Sequence, residues 1–395
     1  MVGLKTGRTT MDQAEGPLAG IRVVEMSHMI MGPSCGQFLA FLGAEVIKVE
    51  PPEGDKTRNL TGMGAGFFPA FNRGKKSITL NLKTDDGLAA LNALMATADV
   101  FVENFRDETL QKMGLDPETL RERFPTLITA SCKGFLRGPY EKRAAMDEVV
   151  QMMTGMAYMT GPTGRPLRIG SSANDIMGGL FAAFSVLAAL IQRGKTGEGA
   201  AIRSGLFENC LLLVAQHMVQ FDIEGTESPP MPERVFSWPV YDLFVTEDDR
   251  QIFVGAATDG QWEKLCKALG LDHLLSDPDL QGRQQQIAGR DRTLPQIADV
   301  IARRSYDHLL TLFEEHALLY APVSRPAEMY DDPHVNRPGG LIHSAYADKK
   351  DFRAPGMPVE IDGRNPVGPM TALPSAGEHT AEVLASLGVR LEAAE

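Results

Sequence analysis

From residue 18 onward the apolar positions follow two different repeats, and the switches between them outline the elements. The stretches IRVVEM (21–26), AEVIKVE (44–50), SITLNL (77–82), DVFVENF (99–105) and LITASCKGF (127–135) are short, apolar and rich in β-branched residues, which predicts strands. Between them SCGQFLAFLG (34–43), DDGLAALNALMATA (85–98) and PETLRERF (117–124) read as helices. Strands alternating with helices predict an α/β fold, a Rossmann-like large domain with a mainly parallel sheet, whose ligands lie at the carboxyl ends of the strands. A long apolar helix is predicted over 176–193, ending at GKTGEG (194–199), and a second over 204–225. The Pro-rich segment ESPPMPERVFSWP (227–239) predicts a linker over 226–239. The strands VYDLFVT and QIFVGAA and the amphipathic stretches after them predict a smaller α+β domain over 240–322. Residues 1–16 read as a flexible tail and 17–225 as the large domain. Residues 323–395 read as a return segment that completes it, with a last helix over 377–388.

Composition narrows the chemistry. A chain of 395 residues accommodates two or three domains, and 43% apolar with 23% charged residues describes a folded, soluble protein. A net charge of −12 argues against nucleic acid as a partner, although a local basic cluster can still hold a small anion. The four cysteines are far apart with no CxxC pair, and the eight histidines form no HExxH, so neither a disulfide framework nor a metal is expected. Lys5 and Arg8 are not followed by an apolar h-region, and the run 176–192 falls just short of a membrane span. The expected setting is cytoplasmic, without a membrane.

Three motif matches carry little. Gly32-Pro33-Ser34-Cys35-Gly36 fits G-x-S-x-G, but five residues separate Ser34's motif from the preceding strand, and Pro33 suits a first helical turn. TGMGAG (61–66) follows no strand and reads as a flexible loop, and GKTGEG lacks the first glycine of a phosphate loop and follows a helix. More informative are Lys75, Lys76, Lys83, Arg106, Lys112 and Lys133 around the predicted strand ends, which together would rim a site for a phosphorylated ligand. Two carboxylates stand in apolar company. Asp147 lies in AAMDEVVQMMTGMAYMTG, and Asp175 in GSSANDIMGGLF, ahead of seventeen uncharged residues. Each suits a helix start, and each suits acid–base or nucleophilic chemistry. Met152, Met153, Met156 and Met159 suit an aliphatic pocket.

The order of longer motifs resembles family III CoA-transferases, the group that includes formyl-CoA:oxalate and carnitine CoA-transferases. The resemblance runs through PLAGIRVVEMSHMIMGPSCGQFLAFLGAEVIKVEPPEGDKTR (17–58), NRGKKSITLNLKTDDG (72–87), VENF (102–105), KGFLRGPY (133–140), TGEGAAIRSGLFE (196–208), APV (321–323) and GEHTAEVLASLG (377–388). It implies that Asp175 is the nucleophile, forming a mixed anhydride and then an aspartyl-CoA thioester, with Asp147 assisting in positioning or proton transfer. It maps CoA contacts onto Met29, Ile30 and Met31, Leu80, Asn81 and Lys83, Asn104, Phe105, Arg106 and Lys112, and Ala144, Ala145 and Met146. It also implies an interlocked-ring homodimer and CoA as a substrate, with no prosthetic group; small dicarboxylates are the acids the family habit suggests. Two departures stand out. Pro51 replaces an arginine often found there, and the small domain lacks the glycine-rich loop of formyl-CoA-type relatives. The α-methylacyl-CoA racemases of the same fold use a histidine where this chain has Met146, which removes one partner of a two-base proton exchange and makes racemization the weaker reading. A non-catalytic CoA-binding protein and a thioester hydrolase using Ser34 are further alternatives.

Overall fold

The computed structural model describes residues 16–234, 236–346, 350–363, 365 and 372–389. The chain forms two compact units, one of residues 1–232 and 333–395, the other of residues 233–332.

The first unit is built on six strands: β1 (Arg22–Met26), β2 (Glu45–Glu50), β3 (Lys76–Thr79), β4 (Val100–Glu103), β5 (Ile128–Lys133) and β6 (Ala201–Gly205). All run parallel, in the order β3-β2-β1-β4-β5-β6. Parallel strands need crossovers, and the helices that supply them cover both faces, so the strands read as nearly unbroken apolar runs. The helices of this unit are α1 (Met31–Phe41), α2 (Phe67–Phe71), α3 (Asp85–Met95), α4 (Asp107–Met113), α5 (Pro117–Arg123), α6 (Asp147–Met153), α7 (Met156–Thr160), α8 (Ala173–Thr196) and α9 (Leu206–Glu224). Successive strand residues point to opposite faces. Val23, Val46, Val100 and Ile128 pack with Leu39 of α1 and Ala182, Ala183 and Val186 of α8. Val24, Ile47, Phe101 and Ile78 pack with Leu91 and Leu94 of α3 on the other side.

By length and composition α8 could cross a membrane. Here one face of it packs into the core, and its small residues explain its place. A Cβ on Gly179 would lie 2.5 Å from the Met31 carbonyl oxygen and 2.9 Å from the Cys35 nitrogen. Glycine at 179 therefore lets α8 lie directly on the first turns of α1. The helix runs three residues further than its glycines suggest, through Gly194, and ends at Gly197 in the left-handed conformation. The structure shifts other expected boundaries as well. α1 starts at Met31 with Pro33 in its first turn, residues 62–66 form a 3-10 run, and the stretch opening at 204 is the end of β6 followed by α9.

The second unit holds β7 (Val240–Val245), β8 (Gln251–Ala256) and β9 (Leu319–Pro322) in one antiparallel sheet. Its helices are α10 (Asp259–Leu269), α11 (Arg283–Ala288), α12 (Arg290–Ile301) and α13 (Tyr306–Glu315). α10 opens with a capping box between Thr258 and Gln261, and its apolar side joins Trp262 and Leu265 to Val240, Ile252, Leu309 and Phe313. After it, β10 (Leu341–Tyr346) pairs antiparallel with β11 (Phe352–Pro355) and parallel with β12 (Ala372–Leu373). The last helix, α14 (Thr380–Ser386), lies against β3: the His379 N–H donates to the Ser77 carbonyl, and the Thr380 hydroxyl accepts from the Thr79 N–H. The chain end thus closes the edge of the first sheet.

Candidate active site

The strand order reverses between β1 and β4, so the loops that leave their carboxyl ends diverge and open a crevice. Asn104 ties the two loops together, accepting from the His28 N–H at 3.1 Å and donating to the His28 carbonyl at 2.8 Å. The His28 ring lies 5.7 Å from that of Phe105, and burial lowers its pKa. Next to it Met29 is held at φ 63°, a conformation uncommon for a residue with a side chain, with its N–H donating to the Thr57 hydroxyl.

Beyond this crevice a groove of about 640 Å³ runs past the ends of β4 and β5. Asn104, Phe105, Arg106, Ala144 and Ala145 line it, and so do Lys133, Arg137, Lys142, Arg143 and Arg203. Lys133 is buried and paired with Glu103 and Asp107 at 2.9 and 3.0 Å, and Arg203 with Asp107 at 2.9 Å. Among the described residues Arg106, Lys142 and Arg143 form no ion pair, so three free cations face one groove. Arg137, Lys142 and Arg143 lie away from the strand ends, where the basic rim was expected. Their signal in the sequence is a run of four basic residues within 133–143, at the end of β5 and in the loop after it.

The basic rim expected from the sequence is only partly assembled. Lys75 is buried and donates to Glu25 at 2.7 Å and to the Pro33 carbonyl at 2.9 Å; burial brings its pKa down to about 8. Lys76 is paired with Glu45 and Glu382. Neither is available to a ligand. Asn81 and Lys83 are exposed after β3, and Lys112 is exposed at the end of α4, outside the groove lining. The side chains of Ile30, Met31 and Leu80 are buried, whereas Met29 is 40% exposed.

The two carboxylates, 28 residues apart in sequence, meet. Asp147 is the first residue of α6, after an extended Met146, and is 6% exposed. Its Oδ2 accepts from the backbone N–H of Asp175 at 3.0 Å, and its Oδ1 accepts from Nε2 of the buried Gln151. Gln151 Oε1 in turn accepts from the Ile169 N–H at 3.0 Å. Asp175 stands in the first turn of α8, which has no side-chain cap, and its own N–H is held by Asp147. Among the described residues the Asp175 carboxylate accepts no hydrogen bond. Burial, then repulsion from Asp147, raise its pKa to about 7, with Arg168 acting against them. The helix start therefore does not hold Asp175 firmly ionised, as its place in the sequence suggested.

Ser34 is fully buried inside α1 and its hydroxyl has no hydrogen-bond partner, so it is not the exposed serine of a hydrolase elbow. Met146, where racemases of this fold are expected to carry histidine, is 64% exposed and brings no titratable group to Asp147. Among the described residues no three His, Cys, Asp or Glu side chains are grouped to hold a metal.

Comparison with known proteins agrees with this architecture. The chain is 34% identical to the succinate–glutarate CoA-transferase of Agrobacterium fabrum, over 96% of this chain and 98% of the relative. It is 33% identical to the succinyl-CoA:mesaconate CoA-transferase of Haloarcula hispanica, over 95% and 97%. The crystal structure of a CaiB/BaiF family protein from Brucella suis superimposes with a TM-score of 0.84 at 32% identity, covering 94% of this chain and all of that one. A sequence model described as CoA-transferase family III matches residues 18–380, and this chain belongs to that family of enzymes.

Proposed function

We propose that this enzyme moves CoA from an acyl-CoA such as succinyl-CoA to a small dicarboxylic acid, with Asp175 as the nucleophile. The observation that carries this reading is the Asp175 carboxylate, half-buried, free of hydrogen bonds among the described residues, and pushed by desolvation and then by Asp147 to a pKa of about 7. A carboxylate stripped of water and of donors is a stronger nucleophile than a solvated one, and near neutral pH a large share of it is ionised.

One Asp175 oxygen attacks the thioester carbonyl carbon. The C–S bond breaks, leaving a mixed anhydride and CoA thiolate. The thiolate then attacks the Asp175 carboxyl carbon and expels the donor acid as its carboxylate, giving an aspartyl-CoA thioester. The acceptor carboxylate repeats these two steps in reverse, and the product acyl-CoA leaves an unmodified Asp175. No net proton is consumed. Asp147 keeps its place by holding the Asp175 N–H.

The loops bearing Met29 and Asn104 and the free cations Arg106, Lys142 and Arg143 take the CoA moiety, with guanidinium groups suited to its phosphates. The first unit forms the CoA-binding part, and the active form is an interlocked homodimer. Dicarboxylates are favoured as acids because the relatives from Agrobacterium and Haloarcula are named for them.

The test is incubation with succinyl-CoA without an acceptor, then mass spectrometry of the Asp175 peptide for a CoA-sized adduct. A panel of acceptor acids read by product mass names the second substrate. Full transferase activity in Asp175→Ala overturns the reading. Deuterium exchange at the α-carbon without an acceptor would identify racemization instead.

A further inference from the structure

We propose that Arg168 and Gln151 are positioning residues, holding residues 168–175 against Asp147 and setting Arg168 as the cation that faces the acidic side chains at the start of α6. The proposal rests on Asp175 being the nucleophile, as argued above.

Gln151 is fully buried on α6 and uses both ends of its amide. Its Nε2 donates to Asp147 Oδ1 and its Oε1 accepts from the Ile169 N–H. Asp147 then holds the N–H of Asp175. The loop before α8 is thus fastened at two points, residues 169 and 175, to one turn of α6. Arg168 folds back over the same loop. Its Nε donates to the Ile169 carbonyl at 3.1 Å and its Nη2 to the Ser171 carbonyl at 3.0 Å. This places the guanidinium 3.9 Å from Asp147 and 3.7 Å from Glu148.

The surrounding charges leave Arg168 alone in this role. α6 contributes Asp147 and Glu148, both acidic. α1 contributes no charged side chain, only the buried thiol of Cys35. α9 contributes Cys210, whose thiol is pushed up by burial, and Glu208, which accepts from the Leu136 N–H. Lys133 on β5 and Arg203 on β6 are engaged by Glu103 and Asp107. Asp147 and Glu148 therefore share one cation, whose charge also lowers the proton affinity of Asp175. Removing that cation raises the proton affinity of Asp175 further, so the nucleophile is lost first on the acid side.

The test is kcat/KM against pH for exchange between succinyl-CoA and a dicarboxylate, in Arg168→Gln, Arg168→Lys, Gln151→Leu and Glu148→Gln. In Arg168→Gln the acid limb moves up by about 1 pH unit, a roughly tenfold loss at pH 6 that is recovered in alkali. Arg168→Lys keeps the limb in place. Glu148→Gln, on an exposed side chain, moves it down. Gln151→Leu lowers kcat at every pH with little change in KM. A limb that stays put in both Arg168→Gln and Glu148→Gln overturns the proposal. The ¹³C carboxyl titration of Asp175, assigned by its absence in Asp175→Ala, gives the same answer without turnover. If Asp175→Ala stays active while that titration still shifts in Arg168→Gln, the nucleophile assignment has failed and the charge assignment has not.

Discussion

Two clusters of charge sit in the first unit, one buried and one partly exposed, and they are built to opposite rules. Near the ends of β1 and β2, Glu25, Glu50 and Asp55 meet Lys48, Lys75 and Arg58, three carboxylates against three cations. Their remaining valences are used as well. Lys48 donates to the Ser27 carbonyl, Glu50 accepts from the Ser77 hydroxyl and the Asp55 N–H, and Arg58 reaches the Pro374 carbonyl while stacking 3.9 Å above Phe68. At the junction of α6 and α8 Asp147 and Glu148 share Arg168, and among the described residues the Asp175 oxygens are left without donors. Charge that is matched and hydrogen-bonded in a dry interior costs little to keep and much to break, which makes the first cluster a fastening. Charge left unmatched is held there at a cost in stability, and such groups are the ones free to react. The fastening also serves the site, since Thr57, whose N–H is held by Asp55, anchors the strained Met29.

This contrast can be broken from either side. The largest effect is expected for Asp175→Asn, with transferase activity falling at least about 10⁴-fold, or ~5.5 kcal/mol of transition-state stabilisation. The same variant should be more stable than the native chain at pH 8. The sign follows from linkage: the folded-state pKa of Asp175 is raised from 3.8 to about 7, so the native chain holds a proton that the unfolded chain has lost between those values. Stability from this group therefore falls as pH rises from 4 to 7, and the advantage of the asparagine should shrink as pH falls toward 4. Thermal melts of both proteins across this range check it.

Glu25→Ala should do the reverse. It leaves Lys48 and Lys75 buried without their shared partner and should cost about 3–5 kcal/mol in denaturant unfolding at neutral pH, a loss that shrinks in alkali as Lys75 gives up its proton. The smallest effect concerns the seat of α8. Gly179→Ala pushes a methyl group into the backbone of α1 and should cost about 1–3 kcal/mol, with some loss of kcat as Asp175 shifts.

Five of the six parallel strands could be read from their apolar runs, because burial on both faces leaves little room for polar residues. β6, with the sequence AIRSG, could not. It is an edge strand, its first three residues are not buried, and Arg203 within it points to Asp107. The lysines show the same limit. Lys75 and Arg106 look alike along the chain, each a cation near a strand end. Yet Lys75 is sealed against Glu25, fifty residues away in sequence, and Arg106 is open to the groove. Asp175 was legible as a carboxylate at a helix start. That its N–H is held by Asp147 and its carboxylate is left without donors among the described residues shows only in the tertiary structure.

The periodic runs, the paired glycines of α8 and the order of the motifs are local properties, and from them follow the α/β class and membership of the CoA-transferase family. Which charges are spent and which are left to react is not local. Desolvation and Coulomb energy depend on distances of a few ångströms between residues tens of positions apart, and those distances exist only once the sheet has brought α6 to α8 and β1 to β2.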